Sequence, residues 1–166
     1  MEITEDTKIP TYANIGDAGA DIYAMTDIEL KPGETKIIPT GIKVQLPIGY
    51  ELQVRPRSGM SAKTKLRIAN APGTIDSGYR DEIGIICENI TPKIKDIEVD
   101  LESGKVLSIE YGASEFIEKG QRIAQLILSE VPTARFEKVE KIAEDNDRKG
   151  GFGSRSEERR VGKECR

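Results

Sequence analysis

No histidine occurs anywhere in the 166 residues of this chain. That removes Ser-His-Asp and Cys-His nucleophilic schemes and, with them, His-ligated metal sites. An enzyme built from this sequence moves protons with Asp, Glu, Lys or Tyr, and its metal is a hard cation held by oxygen. Cysteine is almost as scarce. Cys87 lies in an apolar stretch and Cys165 beside the last residue, which makes neither a disulfide framework nor a zinc spacing, so reduced thiols are expected. No apolar run reaches the length of a bilayer, and the opening "MEITEDTKIP" lacks a basic-then-apolar leader; a cytoplasmic protein without membrane contact is the expectation. A strong positive field is also missing. The formal charge of -4 and pI near 5.1 do not suit a polyanion binder, so no nucleic-acid partner is expected and any phosphate site is local.

What is present is a chain of 37% apolar and 33% charged residues, enough for one domain. Its segments are short and strand-like. In "GIKVQLP", Ile42, Val44 and Leu46 alternate with Lys43 and Gln45, and "YELQVRP" repeats the alternation with Leu52 and Val54, predicting two half-buried strands joined by a Pro-Ile-Gly turn. "EIGIICEN" and "RIAQLILSEV" suit buried strands, while "IEVDLESGKVLSIEYG" predicts a hairpin turning at Ser103-Gly104. "SAKTKLRIAN" is the best place for a short helix or irregular turn. Sustained helical periodicity and internal repeats are lacking, and Pro and Gly punctuate the runs, which predicts an all-β sandwich or barrel. From residue 144, "EDNDRKGGFGS" carries too few apolar groups to order itself and reads as a flexible Gly-rich arm.

Four stretches carry possible chemistry, each with a plainer reading beside it. Asp21, among small residues, is either a turn carboxylate or a ligand-directed one. "RPRSGMS" gathers Arg55, Arg57, Ser58 and Gly59, the materials of an anion cradle and equally of a solvated surface turn; it is not a Walker loop. Gln125 sits on a strand where a buried face more often carries an apolar residue, and on a solvated face it needs no further role. Phe152, between two glycines of the arm, is a stray aromatic or the ring of a lid.

Taken in order, five motifs match one family: "AGADIYA" (18–24), "RPRSGMS" (55–61), "NAPGTIDSGYRDEIG" (70–84), "GQRIAQLIL" (120–128) and "RKGGFGS" (148–154). The chain resembles the homotrimeric deoxyuridine triphosphate nucleotidohydrolases, the dUTPases, over nearly its whole length to Ser154. The resemblance implies a jelly-roll-like β-barrel or sandwich of the β-clip kind and Mg2+-dependent hydrolysis of dUTP to dUMP and pyrophosphate. Such a reaction limits uracil in DNA and supplies dUMP for dTMP synthesis. It further implies that Asp76 is the general base orienting the water that attacks the α-phosphorus. Asn70, Gly73 and Ile75 would receive the base, Tyr79 would pack against deoxyribose and exclude a 2′-hydroxyl, and Phe152 would stack on uracil. Arg57, Ser58, Gly59, Gln125, Arg148, Gly153 and Ser154 would surround the phosphates, and Asp21 would reach Mg2+ through water. A homotrimer with shared sites is implied, each combining Asp76 and Tyr79 of one subunit, the cradle of a second and the arm of the third.

The resemblance divides the chain into a β domain (1–145), the arm (146–154) and a tail (155–166). Arg148 stands four residues before Phe152, where the family spacing is five. The tail, "RSEERRVGKECR", matches a translated sequencing-adapter read-through residue for residue and is read as non-native. Residues 90–117 are longer than in compact family members, predicting an added surface hairpin. Two other classes compete. A dCTP deaminase of related fold calls for Glu at the place of Asp76 and Arg-Ser-Ser in place of "RPRSGMS", and a nucleotide-sensing binding module has no need to keep Asp76 and the arm.

Overall fold

The computed structural model describes residues 1–3 and 6–142; the arm residues Arg148, Phe152, Gly153 and Ser154 and the tail lie outside the described residues. The chain divides into two units, Met1–Thr133 and Ala134–Arg166. All regular structure among the described residues belongs to the first: β1 (Glu2–Ile3), β2 (Ala20–Tyr23), β3 (Ile28–Leu30), β4 (Thr35–Pro39), β5 (Ile42–Lys43), β6 (Tyr50–Pro56), α1 (Ser58–Lys63), β7 (Leu66–Ile68), β8 (Gly73–Ile75), β9 (Gly84–Asn89), β10 (Ile94–Val99), β11 (Val106–Tyr111), β12 (Glu115–Ile117) and β13 (Arg122–Glu130). The unit is all-β, as expected. Its sheets are small: the largest has the order β2-β13-β6-β8, and the next has the order β4-β9-β7. Among the described residues no helix is long and apolar enough to cross a membrane.

Isoleucine dominates the core. Ile22, Ile38, Ile42, Ile83, Ile85, Ile117 and Ile123 are fully buried together with Leu30 and Leu66. Such β-branched side chains are stiff and pack well on a pleated surface, and burying each contributes about 1.5–3 kcal/mol. In β9 the inward positions Ile85, Cys87 and Asn89 alternate with half-buried ones. Burial pushes the Cys87 thiol up to about 12. Asn89 is buried with its amide satisfied, donating to the Leu30 and Ala113 carbonyls and accepting from the Thr91 N–H.

Two sequence expectations are corrected. The segments "GIKVQLP" and "YELQVRP" do not pair as a hairpin: β5 is only two residues long and pairs with β1. Both hydrogen-bonding edges of β6 are taken, one by β13 and the other by β8, so none remains for β5. The helix begins earlier than "SAKTKLRIAN" suggested, at Ser58, and Leu66–Ile68 is drawn instead into antiparallel pairing with β9. The hairpin over 97–112 does form, as β10 and β11, with Gly104 at φ +66° in its turn. Asp100 closes that turn, accepting from the backbone N–H of Ser103, which holds its carboxyl below the ordinary range.

Candidate active site

Asp21, Gln125 and Arg55 stand opposite one another across β2, β13 and β6. Alternation along β2 buries Ala20 and Ile22 and turns Asp21 to the other face of the sheet. There a cavity of about 320 Å³ is lined by Asp21, Arg57, Ser58, Gly59, Arg122 and Gln125 among others. The first, second and fourth motifs thus meet in one place within one chain.

Asp21 organises this cavity. Its Oδ1 accepts from Arg57 Nε at 2.6 Å and its Oδ2 from Arg122 Nη1 at 3.2 Å. Arg57 uses its inner nitrogen for this bond, and its Nη1 reaches the Arg122 carbonyl only at 3.5 Å. Its outer edge therefore still presents donors to a second anion. Gln125 Nε2 donates to the Pro56 carbonyl at 2.9 Å, fixing its amide beside the chain that leads into α1. Gly19 is required here by space: a Cβ on it would stand 2.2 Å from Gln125 Oε1. Sequence reasoning assigned no role to Arg122 or Gly19. Both lie inside quoted motifs, and only the pairing of β2 with β13 reveals what they touch.

The third motif folds elsewhere on the sheet. Strand β8 is an edge strand, paired with β6 through Gly73–Val54, Thr74–Gln53 and Ile75–Leu52 and with nothing on its other side among the described residues. An edge strand offers a row of main-chain donors and acceptors. Gly73 is buried, and a Cβ there would lie 3.0 Å from Asn70 Nδ2, so Asn70 rests against bare backbone. Asp76 follows directly, exposed, and among the described residues nothing is hydrogen-bonded to its carboxylate. Tyr79 N donates to the Asp76 carbonyl at 3.0 Å and Tyr79 OH to the Glu82 carbonyl at 2.8 Å, so the ring is held at both ends.

The structure does not bring Asp76 to the cavity within one chain. Strands β2 and β8 are the outer strands of their sheet with β13 and β6 between them, and Ile75 lies opposite Leu52, three residues along β6 from Arg55. At about 4.8 Å per strand and 3.3 Å per residue, Asp76 stands on the order of 15–20 Å from Asp21. A hydrogen bond, or one relayed by a single water, spans far less.

Among the described residues no group of three or more acidic, cysteine or histidine side chains is placed to hold a metal ion. Asp21 offers the donor set of a different kind of site. Two guanidiniums leave its carboxylate lone pairs for a water, which fits a Mg2+ ion that keeps its hydration shell and takes its other oxygens from a ligand.

The dUTPase family profile matches residues 5–103 and 97–156. A deoxyuridine 5'-triphosphate nucleotidohydrolase from Clostridioides difficile is 38% identical over 154 residues, covering 92% of this chain and 93% of its own. Among solved structures, a mutant dUTPase of Staphylococcus bacteriophage 80alpha with dUpNHpp superposes with a TM-score of 0.78 at 31% identity, covering 93% of this chain and 95% of that one. A mutant dUTPase from phage phi11 of S. aureus, which coordinates a structural Mg(II) ion, does so with a TM-score of 0.70 at 30% identity, covering 86% and 95%. Matched over most of its length in sequence and in fold, the chain belongs to the dUTPase family.

Proposed function

We propose that this chain is a dUTP diphosphatase that hydrolyses dUTP to dUMP and pyrophosphate at sites shared between subunits of a homotrimer. The observation that carries the reading is the edge strand β8, ending directly at an exposed carboxylate, Asp76, with Tyr79 held beside it. Backbone donors and acceptors at Gly73 and Ile75 match the hydrogen-bonding edge of uracil and mismatch cytosine, while Asn70 closes the base pocket over Gly73. The Tyr79 ring packs on deoxyribose and occupies the space that a 2′-hydroxyl needs. Asp76 accepts a hydrogen bond from water and takes its proton as the water oxygen bonds to the α-phosphorus and the bond to the bridging oxygen of pyrophosphate breaks. Arg57, Ser58, Gly59 and Gln125 of a neighbouring subunit hold the phosphates and stabilise the charge that develops on the leaving pyrophosphate. Asp21 would hold Mg2+ through water, and the bound ion would supply positive charge against the triphosphate. The arm residues Phe152, Arg148, Gly153 and Ser154 complete the site by stacking on the base and engaging the outer phosphates.

The separation of Asp76 from Asp21 supports the shared site, because a base that far from the cradle in its own chain must work with another copy's cradle. The substrate assignment is tested by incubating the protein with magnesium and each deoxynucleoside triphosphate and measuring pyrophosphate. Release from dUTP alone is expected; equal release from all four, or ammonia from dCTP, would overturn it. Tyr79→Ala should open space beside the sugar and raise kcat/KM for UTP by about tenfold or more relative to dUTP. Steady-state rates on the two nucleotides check this, and unchanged exclusion of UTP would remove Tyr79 from the role.

A further inference from the structure

Glu82, like Asp81, is an acidic residue of the third motif to which no chemistry has been given, and it makes an unusual pair of contacts. Its Oε1 accepts the backbone N–H of Thr40 at 2.8 Å and that of Gly41 at 2.7 Å. These two residues form the corner between β4 and β5, where Gly41 adopts φ +70°. A left-handed residue there turns the chain so that successive N–H groups converge on one acceptor. The same corner is tied a second way: the buried Thr40 hydroxyl donates to the Ile83 carbonyl at 2.6 Å, and Ile83 N donates to the Ile42 carbonyl at 2.8 Å. Four hydrogen bonds thus fasten Glu82 and Ile83 to Thr40–Ile42, next to the fully buried Ile42 and Ile83.

From that anchor the contacts run directly to the proposed chemistry. The Glu82 carbonyl accepts the Tyr79 hydroxyl at 2.8 Å, and the Tyr79 N–H closes on the Asp76 carbonyl at 3.0 Å. The loop between β8 and β9 is otherwise exposed over Asp76, Gly78, Tyr79, Arg80 and Asp81. Little apolar burial restrains it; besides its own short-range bonds from Arg80 to the Ser77 and Tyr79 carbonyls, its tie to the body of the fold runs through Glu82 and Ile83. Taking the carboxylate acceptor away leaves two N–H groups of the corner without their partner and leaves the residue whose carbonyl holds the tyrosine ring fastened only through its neighbour Ile83.

We infer that Glu82 is a positioning residue that sets the sugar specificity of the site, by clamping the loop of Asp76 and Tyr79 to the Thr40–Gly41 corner. This rests on the functional reading above, in which Tyr79 excludes the 2′-hydroxyl. Glu82 touches no reacting atom. Its effect is to keep the ring at the distance where deoxyribose fits and ribose does not, and a displacement on the order of 1 Å is enough to cost that discrimination.

The test compares wild type, Glu82→Ala and Glu82→Gln for pyrophosphate release from dUTP and from UTP with magnesium, with a thermal melt of each. Glu82→Ala should lower the ratio of kcat/KM for dUTP over UTP by about tenfold, with kcat for dUTP falling more than KM rises. Glu82→Gln should return the ratio to within about threefold of wild type, because an amide oxygen still accepts both N–H groups. A Glu82→Ala protein that melts lower yet keeps the wild-type ratio would show a merely structural residue and overturn the inference. So would a Glu82→Gln protein as unselective as Glu82→Ala. If Glu82→Ala does not fold, Tyr79→Phe cuts the link at the hydroxyl alone and should lower the ratio severalfold; an unchanged ratio there contradicts the inference equally. Wild type that releases no pyrophosphate from dUTP would sink the functional reading and this inference together, whereas selective wild type with an unchanged variant ratio sinks this inference alone.

Discussion

Asp76→Asn should lower kcat on dUTP by about 10²- to 10⁴-fold while the nucleotide still binds. Asparagine keeps the shape and one acceptor oxygen but cannot take a proton from water. Because Asp76 is exposed and makes no side-chain hydrogen bond among the described residues, its replacement removes no packing and should leave the melting temperature unchanged. Single-turnover pyrophosphate release, alongside calorimetric binding of a non-hydrolysable dUTP analogue, separates the two effects. A variant that turns over near the wild-type rate would place the base elsewhere. One that loses binding in proportion to rate would make Asp76 a binding residue.

Arg57→Ala is the second large effect. In the proposed site its guanidinium does two things at once: Nε holds Asp21 Oδ1 at 2.6 Å, and the outer nitrogens would meet phosphate. Removing it should cost on the order of 10²–10³ in kcat/KM for dUTP. Binding of dUMP, which has no β or γ phosphate, should change far less. Arg57→Lys should not restore activity, since a single ammonium cannot grip the carboxylate and present a planar fork to a second anion. Equal losses for dUTP and dUMP would mean that Arg57 shapes the fold of the cavity and not its hold on the phosphates.

The candidate site was legible in the sequence because its residues lie in contiguous stretches. "NAPGTIDSGYRDEIG" carries Asp76, Tyr79, Asn70 and Gly73 on one short segment, and β8 with the residues flanking it keeps them neighbours along the chain. Period-two alternation located β6, and an apolar run located β13, each to within a residue. What the sequence hid is pairing between distant segments. The pairing of β5 with β1 depends on which edges of β6 are already occupied, and alternation in "GIKVQLP" says nothing of that. Arg122 stands 101 residues from Asp21, so its ion pair is visible only once β13 lies beside β2. Glu82 and Thr40 meet across 42 residues for the same reason. Gly19 reads as one more small residue of "AGADIYA" until Gln125 is placed against it.

The same non-local order bears on assembly. Asp76 follows β8 at one edge of the sheet, Asp21 lies on β2 at the other, and Arg57 lies past the far end of β6, so in the proposed site a second copy supplies the cradle. Asp76→Asn and Arg57→Ala, each inactive alone, should therefore be unfolded together in equal amounts, refolded and assayed for pyrophosphate release from dUTP. Random assortment around a ring in which the base and the cradle come from different chains gives roughly a quarter of sites with both intact, so activity should return to about a quarter of the wild-type value. A refolded mixture that contains mixed oligomers and yet stays inactive would contradict the shared site.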